Sequence, residues 1–399
     1  MSDQFYLTKK LPPYIFAAIA ELKQNAIASG IKIIDFGMGN PDSAPPQFVM
    51  DELAKLSQQG DLYGYSTVGG VEILKNSLAD YYHKRFGVDL NPADECLVTI
   101  GAKEGITSLS SAISGPDDYI AVANPGYPIH TFAFTIARSN VMPINATKAA
   151  DFLAEFKEKV AKSDKKPIAV IVNYPSNPTS QSADLNFYQE LVDFCRQQKI
   201  YIISDIAYAE IYFTQDQKPH SIFEVKGAKD IAIEFSSVSK SYSMAGCRVG
   251  FAAGNKDLIN TLYKIKSYLD YGSFEPVQIA AAKALTSPES AQYLQDLRQK
   301  YHSRARFLTD LFNKELNWPA KMPTTSMFLW DKIPDHLMAA TGAKDSFDFC
   351  KILIEKTGVA FAAGSSFGSN GEGYVRVSLI RDEEEMVEAV QKIKNQFCN

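Results

Sequence analysis

Long apolar segments are missing from this 399-residue sequence. No apolar run approaches the ~18 residues that a membrane-spanning helix needs. The first residues, MSDQFYLTKK, contain neither the apolar core of a signal peptide nor the arginine-rich pattern of a transit peptide. We therefore expect a cytoplasmic protein that does not bind a membrane.

Cysteine and histidine are also scarce, with five residues of each type. An odd number of cysteines without CxxC spacing argues against a disulfide framework and against a zinc site. The histidines form neither an HExxH motif nor a paired cluster, so we expect no bound metal. The cysteines, which we expect to be reduced thiols, are Cys96, Cys195, Cys247, Cys350 and Cys398.

An excess of positive charge is absent too. The 41 Lys and Arg residues are outnumbered by 46 Asp and Glu residues, which gives a net charge of −5. Nucleic acid is therefore not an expected partner. With 46% hydrophobic and 22% charged residues, the composition is that of an ordinary globular protein, and the length allows one large and one smaller domain.

Apolar strand-like runs alternate with helical patterns through the middle of the chain, for example at residues 119–123 and 200–205. Strands that are apolar throughout and separated by helices predict an α/β fold with a mostly parallel sheet covered on both faces. From about Trp318 onward, shorter strand-like runs and two helical patterns predict an α+β cap.

Lys240 lies in the segment EFSSVSKSYSMAGCRVGF, directly after a strand-like run and among several serines. Arg248 follows after Gly246, and small residues between two cations favour a pocket that closes around an anion such as phosphate. Burial beside another cation disfavours the ammonium form of a lysine, which makes a Schiff base with an aldehyde feasible. Pyridoxal 5′-phosphate carries both an aldehyde and a phosphate. A strand-end lysine in a serine-rich turn is the alternative interpretation.

Several other polar or small residues follow predicted strands, which is where parallel sheets bind their ligands. In CLVTIGAKEG, residues 101–103 connect a strand to a helix whose first amides are unpaired. This turn is a second candidate for phosphate binding, with a routine strand-to-helix connection as the alternative. The residues at such strand ends are Gly101, Tyr127, Asn177, Asp205, Tyr208 and Lys240.

Two charged residues in apolar strands need partners. Asp205 ends a strand where an unpaired carboxylate is costly, and a protonated pyridine nitrogen would satisfy it, with helix capping as the alternative. Arg376, in YVRVSLI, needs an anion. Its geometry suits a substrate carboxylate, and an internal Arg–Asp or Arg–Glu bridge is equally open. Gly39, in the turn GNPD, would let the backbone approach a small ligand.

The order of these motifs resembles that of the class I/II, fold-type I pyridoxal-phosphate aminotransferases over residues 11–397. The motifs are the Tyr65 loop, GAK at residues 101–103, NPGYP, NPT, DxAY, SxSK, Arg248 and YVRVS. The resemblance implies a mostly parallel seven-stranded sheet between helices, with a smaller α+β domain. The predicted division is 1–47 for an N-terminal arm with part of the small domain, 48–283 for the large cofactor-binding domain, and 284–399 for an interdomain helix with the rest of the small domain.

The same resemblance implies catalytic roles for Lys240, Asp205 and Tyr208. Lys240 would form the Schiff base with the cofactor, and Asp205, supported by His130, would pair with the pyridine nitrogen. Tyr208 and Asn177 would hold the phenolic oxygen of the cofactor. Tyr127 would stack on the cofactor ring. The implied phosphate ligands, with Tyr65 supplied by the neighbouring subunit of a homodimer, are Tyr65, Ala102, Lys103, Ser237 and Arg248.

For the substrate, the resemblance implies that Arg376 binds the α-carboxylate and that Gly39 contributes its backbone, with Asn177 and Tyr14 as further substrate-binding residues. Two departures from the family pattern matter. The NPTG motif reads NPTS here, with Ser180 in place of glycine. The segment DYGSFEP lacks the arginine that aspartate-type enzymes present to a distal carboxylate.

Longer motifs, among them LPPYIF, DFGMGNPD, TIGAKEG and NPGYPIH, resemble bacterial glutamate–pyruvate (alanine) transaminases, with LL-diaminopimelate aminotransferases as relatives. We therefore predict ping-pong exchange between alanine and 2-oxoglutarate, whose second carboxylate would be received by Tyr14, Tyr65 or Lys103. The alternatives are an LL-diaminopimelate, methionine/aromatic or aspartate aminotransferase, and a pyridoxal-phosphate C–S lyase. A cofactor-binding transcription factor shares the fold, but this chain has no basic DNA-binding domain.

Overall fold

A computed structural model describes residues 5–11 and 15–398 of the chain. None of the helices in these ranges combines the length and the apolar character needed to cross a membrane. The α-helices are α1 Tyr6–Lys10, α2 Ile15–Ala28, α3 Gln47–Leu56, α4 Glu72–Phe86, α5 Ala102–Ile113, α6 Pro128–Ile136, α7 Ala149–Lys162, α8 Leu185–Gln198, α9 Val238–Ser241, α10 Lys256–Leu269, α11 Glu275–Thr286, α12 Ser290–Leu316, α13 Asp335–Thr341, α14 Ser346–Thr357 and α15 Glu383–Phe397. The strands are β1 Ile34–Asp35, β2 Cys96–Thr99, β3 Tyr119–Asn124, β4 Asn140–Asn145, β5 Ala169–Asn173, β6 Tyr201–Asp205, β7 Ala232–Ser237, β8 Gly250–Gly254, β9 Phe328–Lys332, β10 Val359–Ala360, β11 Ala362–Ala363 and β12 Tyr374–Ser378.

Seven strands form the central sheet in the order β2-β8-β7-β6-β5-β3-β4. Strand β8 is antiparallel to both of its neighbours, whereas the other six strands run in one direction. Parallel neighbours need a crossover connection, which explains why helices separate these strands along the chain. The predicted mostly parallel seven-stranded sheet is confirmed.

The central strands are apolar because both faces of the sheet are covered. In β5, Ala169 and Ile171 pack in a cluster with residues of α5, α6 and α10. Val170 and Val172 point to the opposite face, where they pack in a cluster that includes residues of α7 and α8. Side chains alternate between the two faces of a strand. When both faces are covered, every side chain of the strand is buried, and polar residues are disfavoured there. Polar residues therefore collect where such strands end.

The C-terminal part of the chain forms a smaller antiparallel sheet in the order β11-β12-β9. Strand β1 pairs in parallel with β10, which brings segments from near the two ends of the chain together. A short connection that contains Pro288 separates α11, which ends at Thr286, from α12, which begins at Ser290. The division of the chain into domains stays a prediction.

The turn that follows β1 is fixed to α12 by charged side chains. Arg304 donates hydrogen bonds to both carboxylate oxygens of Asp42, at 3.0 and 2.9 Å, and Lys300 donates to Asp42 at 2.7 Å. Burial opposes the charged form, yet these bonds hold the pKa of Asp42 below its ordinary value. Arg304 also donates to the carbonyl oxygen of Leu379, directly beyond β12, at 3.0 Å. The turn after β1 and the end of β12 thus share one anchor on α12.

Candidate active site

The carboxyl ends of β5, β6 and β7 lie side by side. Asn173 at the end of β5 is in register with Asp205 at the end of β6, and Asp205 is in register with Phe235 of β7. The loops beyond these ends line a cavity of about 750 Å³. Ligands of parallel sheets bind in this position, so the cavity is the candidate active site. The sequence-predicted residues that line it are Gly39, Ala102, Lys103, Tyr127, Asn177, Asp205, Tyr208, Ser237, Lys240, Arg248 and Arg376.

Among the predicted residues that the structure describes, Tyr65 does not line this cavity. Tyr65 is 88% exposed, and its ring centre lies 4.7 Å from that of Tyr271. Tyr14 lies outside the described residues. The exposed position leaves Tyr65 free to contact a second subunit, and it separates Tyr65 from the cavity of its own chain.

Lys240 follows β7 in the short helix α9, and its side-chain nitrogen donates a hydrogen bond to the carbonyl oxygen of Gly39. Burial, together with the positive charges of Arg376, Arg248 and Lys103, lowers the pKa of Lys240 from 10.5 to about 8. Both effects disfavour the ammonium form. A neutral amine, which can act as a nucleophile or accept a proton, is therefore accessible near neutral pH.

Asp205 is 4% exposed, and both of its carboxylate oxygens are bonded. Oδ1 accepts from the backbone N–H of Ala207 at 3.0 Å, in the turn after β6 where no helix begins, and Oδ2 lies 2.9 Å from Nε2 of His130. No Lys or Arg of the described residues forms an ion pair with Asp205. Asp205 is thus a buried carboxylate that lines the cavity and that has His130, but no Lys or Arg of the described residues, as a partner.

Arg376 projects from β12 and is 3% exposed. Its two terminal nitrogens donate to Oδ1 of Asn177 at 2.8 Å and to the carbonyl oxygen of Gly37 at 2.7 Å, whereas Nε has no hydrogen-bond partner. Within residues 5–11 and 15–398, no carboxylate forms an ion pair with this guanidinium. The described residues therefore contain no internal Arg–Asp or Arg–Glu bridge at Arg376, which was the alternative interpretation of this side chain.

Two aromatic rings lie close to the guanidinium of Arg376. Its central carbon lies 4.3 Å from the ring centre of Phe328 and 4.7 Å from that of Phe367, distances at which a cation is attracted to an aromatic face. Burial lowers the pKa of Arg376 from 12.5 to about 10, which leaves the group charged at neutral pH. A buried charge without an opposite charge is costly, so a carboxylate that enters the cavity gains a strong partner here.

The turn between β2 and α5 brings backbone amides to the cavity. Gly101 has φ +81°, a conformation that favours glycine, and a Cβ at this position would lie 2.2 Å from a terminal nitrogen of Arg248. Glycine is therefore required for the close approach of the guanidinium. Arg248 donates to the carbonyl oxygens of Ala245 at 2.7 Å and Ile100 at 3.4 Å. The first amides of α5, Arg248 and Ser237 together offer the donors that a phosphate group needs.

Two tyrosine side chains complete the cavity wall. Burial, with the charge of Asp205 adding to it, raises the pKa of Tyr127 to about 12, and burial also raises the pKa of Tyr208. Both phenols therefore stay protonated at neutral pH and can donate a hydrogen bond. Tyr208 packs edge-on against Phe328 with ring centres 5.5 Å apart, and Nζ of Lys103 lies 5.7 Å from the ring centre of Tyr127.

Comparison with known proteins decides the family. Residues 31–393 match the family described as Aminotransferase class I and II. The chain belongs to this family. It is 39% identical to the glutamate-pyruvate aminotransferase AlaC of Escherichia coli (strain K12), over 99% of this chain and 94% of AlaC. It is 36% identical to an LL-diaminopimelate aminotransferase of Nitratidesulfovibrio vulgaris (strain DSM 19637 / Miyazaki F), over 96% of this chain and 97% of that protein. The apo-BacF structure from Bacillus subtilis matches with a TM-score of 0.87 at 31% identity, covering 97% of this chain and 96% of BacF.

Class I and II aminotransferases depend on pyridoxal 5′-phosphate, so the predicted cofactor is confirmed. The cavity of this aminotransferase fits the group. Lys240 offers an amine of lowered pKa to the aldehyde, and Asp205 offers to the ring nitrogen a buried carboxylate that pairs with no Lys or Arg of the described residues. The glycine-dependent approach of Arg248 to the start of α5 offers a cradle to the phosphate. When bound, the cofactor supplies an aldehyde that receives the amino group of the substrate and a ring that withdraws electrons.

Sequence reasoning missed, among others, Asn173 and Phe328, which line the cavity, and Phe367, which packs against Arg376. Asn173 donates to the backbone oxygen of Asp205 at 2.8 Å and accepts from the backbone N–H of Asn177 at 2.9 Å. A signal for Asn173 was available, because it is a polar residue at the end of an apolar strand. Nothing local distinguishes the two phenylalanines from ordinary core residues.

The departure at Ser180 leaves the turn of this aminotransferase intact. Ser180 has φ +55°, in the left-handed region where glycine is usual, which matches the glycine of the family motif. Its hydroxyl donates to the carbonyl oxygen of Phe328 at 2.9 Å, and its own carbonyl accepts from the hydroxyl of Thr325 at 3.0 Å. These bonds offset the backbone strain and connect the turn to β9, while Asn177 keeps its contact with Arg376.

Proposed function

We propose that this aminotransferase exchanges an amino group between alanine and 2-oxoglutarate by a ping-pong mechanism, as a cytoplasmic homodimer. The observation that carries the chemistry is the arrangement of Lys240, Asp205 and Arg376 around one cavity. These groups supply an amine, a buried anion and a buried cation, which are the charges that an amino-acid substrate and the cofactor would complement.

In this proposal Arg376 receives the α-carboxylate of the substrate. The guanidinium is fixed by Asn177, Gly37 and two aromatic rings, so it has little freedom to lose when it binds. The amine of Lys240, close to Gly39 and of lowered pKa, accepts the proton from the substrate Cα. Arg376 thus binds the α-carboxylate of the substrate, while Lys240 acts on its Cα.

The remaining site residues would hold the cofactor. Asp205 would keep a proton on the ring nitrogen, because an opposite charge nearby favours the protonated form and no Lys or Arg of the described residues pairs with this carboxylate. Asn177 and Tyr208 would hold the phenolic oxygen, and Tyr127 would stack on the ring. The amides of Ala102 and Lys103, with Ser237 and Arg248, would bind the phosphate, together with Tyr65 of a second subunit.

Alanine is favoured by the charge distribution around the side-chain end of the cavity. The segment 270–276 contains no arginine, so a distal carboxylate finds no bidentate partner there. Lys103 lines the cavity, and no ion pair of the described residues occupies its ammonium, so it is the candidate donor for the second carboxylate of 2-oxoglutarate. The 39% identity to AlaC, which is named for glutamate and pyruvate, also supports this pair.

A second candidate is LL-diaminopimelate, which is favoured by the 36% identity to the aminotransferase named for it. The two candidates are separated by measuring kcat/KM for alanine, LL-diaminopimelate, aspartate and methionine with 2-oxoglutarate as acceptor. We expect alanine to exceed aspartate and LL-diaminopimelate. If either of these is preferred by more than ~10-fold, about 1.4 kcal/mol of transition-state stabilisation, the alanine assignment is wrong and aminotransfer remains.

The lowered pKa of Lys240 predicts how fast the apo-enzyme captures its cofactor as the pH changes. The neutral amine is the reactive form, and its pKa is lowered from 10.5 to about 8. The capture rate should therefore rise with pH, about tenfold per unit up to pH ~8, and level off above it. Stopped-flow absorbance with pyridoxal 5′-phosphate measures this rate. A rate that still climbs tenfold per unit up to pH 10 would indicate an ordinary lysine.

A homodimer is supported by an exposed aromatic face. Large apolar side chains on one surface region usually mark an interface. The residues of this aromatic face are Tyr63 (60% exposed), Tyr65 (88%), Tyr268 (82%), Leu269 (61%), Tyr271 (58%) and Phe274 (40%). Light scattering during turnover should therefore give the mass of a dimer, and an active monomer would contradict the proposal.

A further inference from the structure

Lys266, on α10, is 0% exposed and lies outside the cavity described above. Its ammonium donates to Oε2 of Glu104 at 3.0 Å and to Oδ2 of Asp270 at 2.9 Å. Burying an ammonium between two carboxylates requires all three charges to lose water, so such a cluster contributes little stability by its presence alone. The two acidic partners indicate a more specific role.

Glu104 connects Lys266 to the turn that would bind the phosphate. It lies in the first turn of α5, where Oε2 also accepts from the backbone N–H of Ile100 at 2.7 Å and Oε1 accepts from the hydroxyl of Ser108 at 2.6 Å. These bonds fix the turn between β2 and α5. The negative charge of Glu104, however, lies within one helical turn of the amides that would hold a phosphate, and two anions repel each other. Lys266 offsets that charge.

Asp270 connects Lys266 to the aromatic face. Its Oδ1 accepts from the backbone N–H of Gly272 at 2.7 Å. A Cβ on Gly272, which has φ +80°, would lie 2.9 Å from the carbonyl oxygen of Thr67, so this segment lies directly against the loop that carries Tyr65. The ring of Tyr271 then packs on that of Tyr65, with centres 4.7 Å apart. Lys266 is therefore bonded to one residue that braces the phosphate turn and to one that braces the segment packed on the Tyr65 loop.

We propose that Lys266 is a positioning residue for cofactor phosphate in both sites of the homodimer. In its own subunit it neutralises Glu104 beneath the first amides of α5. Across the interface it holds, through Asp270, the loop whose Tyr65 reaches the phosphate of the other subunit. The inference rests on the proposed function, from which the phosphate cradle and the role of Tyr65 are taken.

The first test compares two lysines of the same helix. Lys266→Met removes the buried ammonium, and Lys256→Met removes a surface lysine that pairs with Asp94 at 2.7 Å. Apo-enzyme is titrated with pyridoxal 5′-phosphate while the absorbance of the lysine-bound cofactor is followed, and inorganic phosphate is used as a competitor. We expect the dissociation constants of both ligands to rise at least ~10-fold in Lys266→Met and to change less than ~2-fold in Lys256→Met. Equal constants in the two variants overturn the proposal.

Substitutions that remove the charge of Glu104 or Asp270 distinguish a positioning role of Lys266 from a role in folding. Glu104→Gln keeps an oxygen for the Ile100 N–H and removes the charge that Lys266 offsets. Adding it to Lys266→Met should therefore recover most of the lost affinity for inorganic phosphate, whereas a purely structural defect would persist. If Lys266→Met does not fold, the single variants decide: Asp270→Asn should raise the cofactor dissociation constant ~3-fold or more, and Glu104→Gln should leave it equal or lower. The reverse order overturns the proposal.

Hybrid dimers test the action across the interface. One subunit carries Lys240→Ala, which silences its own absorbance signal, so the signal reports the other, wild-type site. When Lys266→Met is added to the silent subunit, the reporting site should still lose affinity by ~3-fold, because it receives Tyr65 from the altered subunit. Unchanged affinity of the reporting site rejects the proposed action across the interface.

A failure of the proposed function and a failure of the role of Lys266 give different results. Should wild-type protein itself fail to form the lysine-bound cofactor, the proposed function fails. If wild type binds normally and Lys266→Met binds as tightly, only the role of Lys266 fails.

Discussion

Replacing Lys240 with alanine is expected to reduce turnover by at least ~10³-fold. The variant loses both the amine that bonds the cofactor and the base that accepts the Cα proton, and general acid–base catalysis alone contributes about 10²–10⁴-fold. Cofactor binding should persist, because Asp205, Tyr127 and Arg248 face the same cavity independently of the amine. Equilibrium dialysis with pyridoxal 5′-phosphate and the absorbance of the lysine-bound cofactor measure the two properties separately.

Two controls show whether the amine itself is responsible. Lys240→Arg keeps a cation beside Gly39 but has no group that deprotonates near neutral pH, so it should be as inactive as Lys240→Ala. A small primary amine added to Lys240→Ala can enter the space that the side chain leaves, and it should recover part of the turnover. Substantial transamination by Lys240→Ala without added amine would reject the assignment.

Asp205→Asn is expected to lower kcat by about 10²-fold or more. The substitution keeps the size of the side chain and an oxygen for the Ala207 N–H, and it removes the negative charge that would hold a proton on the ring nitrogen. Losing one preorganised electrostatic contact in a closed site typically costs about 3 kcal/mol, which corresponds to this factor. Single-turnover kinetics measure the loss, and ¹⁵N NMR of labelled cofactor should show the ring nitrogen without its proton.

Glu234 on the neighbouring strand β7 provides a matched control. It is also a fully buried carboxylate, and it accepts hydrogen bonds from Ser221 at 2.6 Å, Ser204 at 2.9 Å and Tyr82 at 3.0 Å. It does not line the cavity. Glu234→Gln should lower the thermal stability and leave kcat of the folded enzyme within about 3-fold. A loss of kcat as large as that of Asp205→Asn would mean that the effect arises from the core and not from the cavity.

The parts of the fold that sequence reasoning predicted are those in which one strand carries its own signal. A strand covered on both faces is apolar throughout, so the central sheet was visible without knowledge of its neighbours. Asp205 and Lys240 were found because polar residues end such runs, and Arg376 was found because a charge interrupts one. The family resemblance then supplied roles that no single strand shows.

The parts that could not be predicted depend on contacts between distant segments. Asn177 and Arg376, which are bonded directly, are 199 positions apart. In the sequence alone, Phe328 resembles any apolar strand residue. Its contact with Arg376 follows only from the pairing of β9 with β12. Lys266 reads as a lysine on a helix surface, and only the packing of α10 against α5 shows that Glu104, 162 positions away, encloses it. Local patterns carry no information about which faces meet.

The anchor on α12 has a mechanical consequence. Arg304 binds Asp42 in the turn that carries Gly39, and it also binds Leu379 beyond the strand that carries Arg376. One arginine therefore ties the position of Gly39 to that of Arg376. Gly39 holds the amine of Lys240 through its carbonyl oxygen. A substitution of Arg304 is therefore expected to disturb the Gly39 contact of Lys240 and the placement of Arg376 together, although Arg304 itself does not line the cavity.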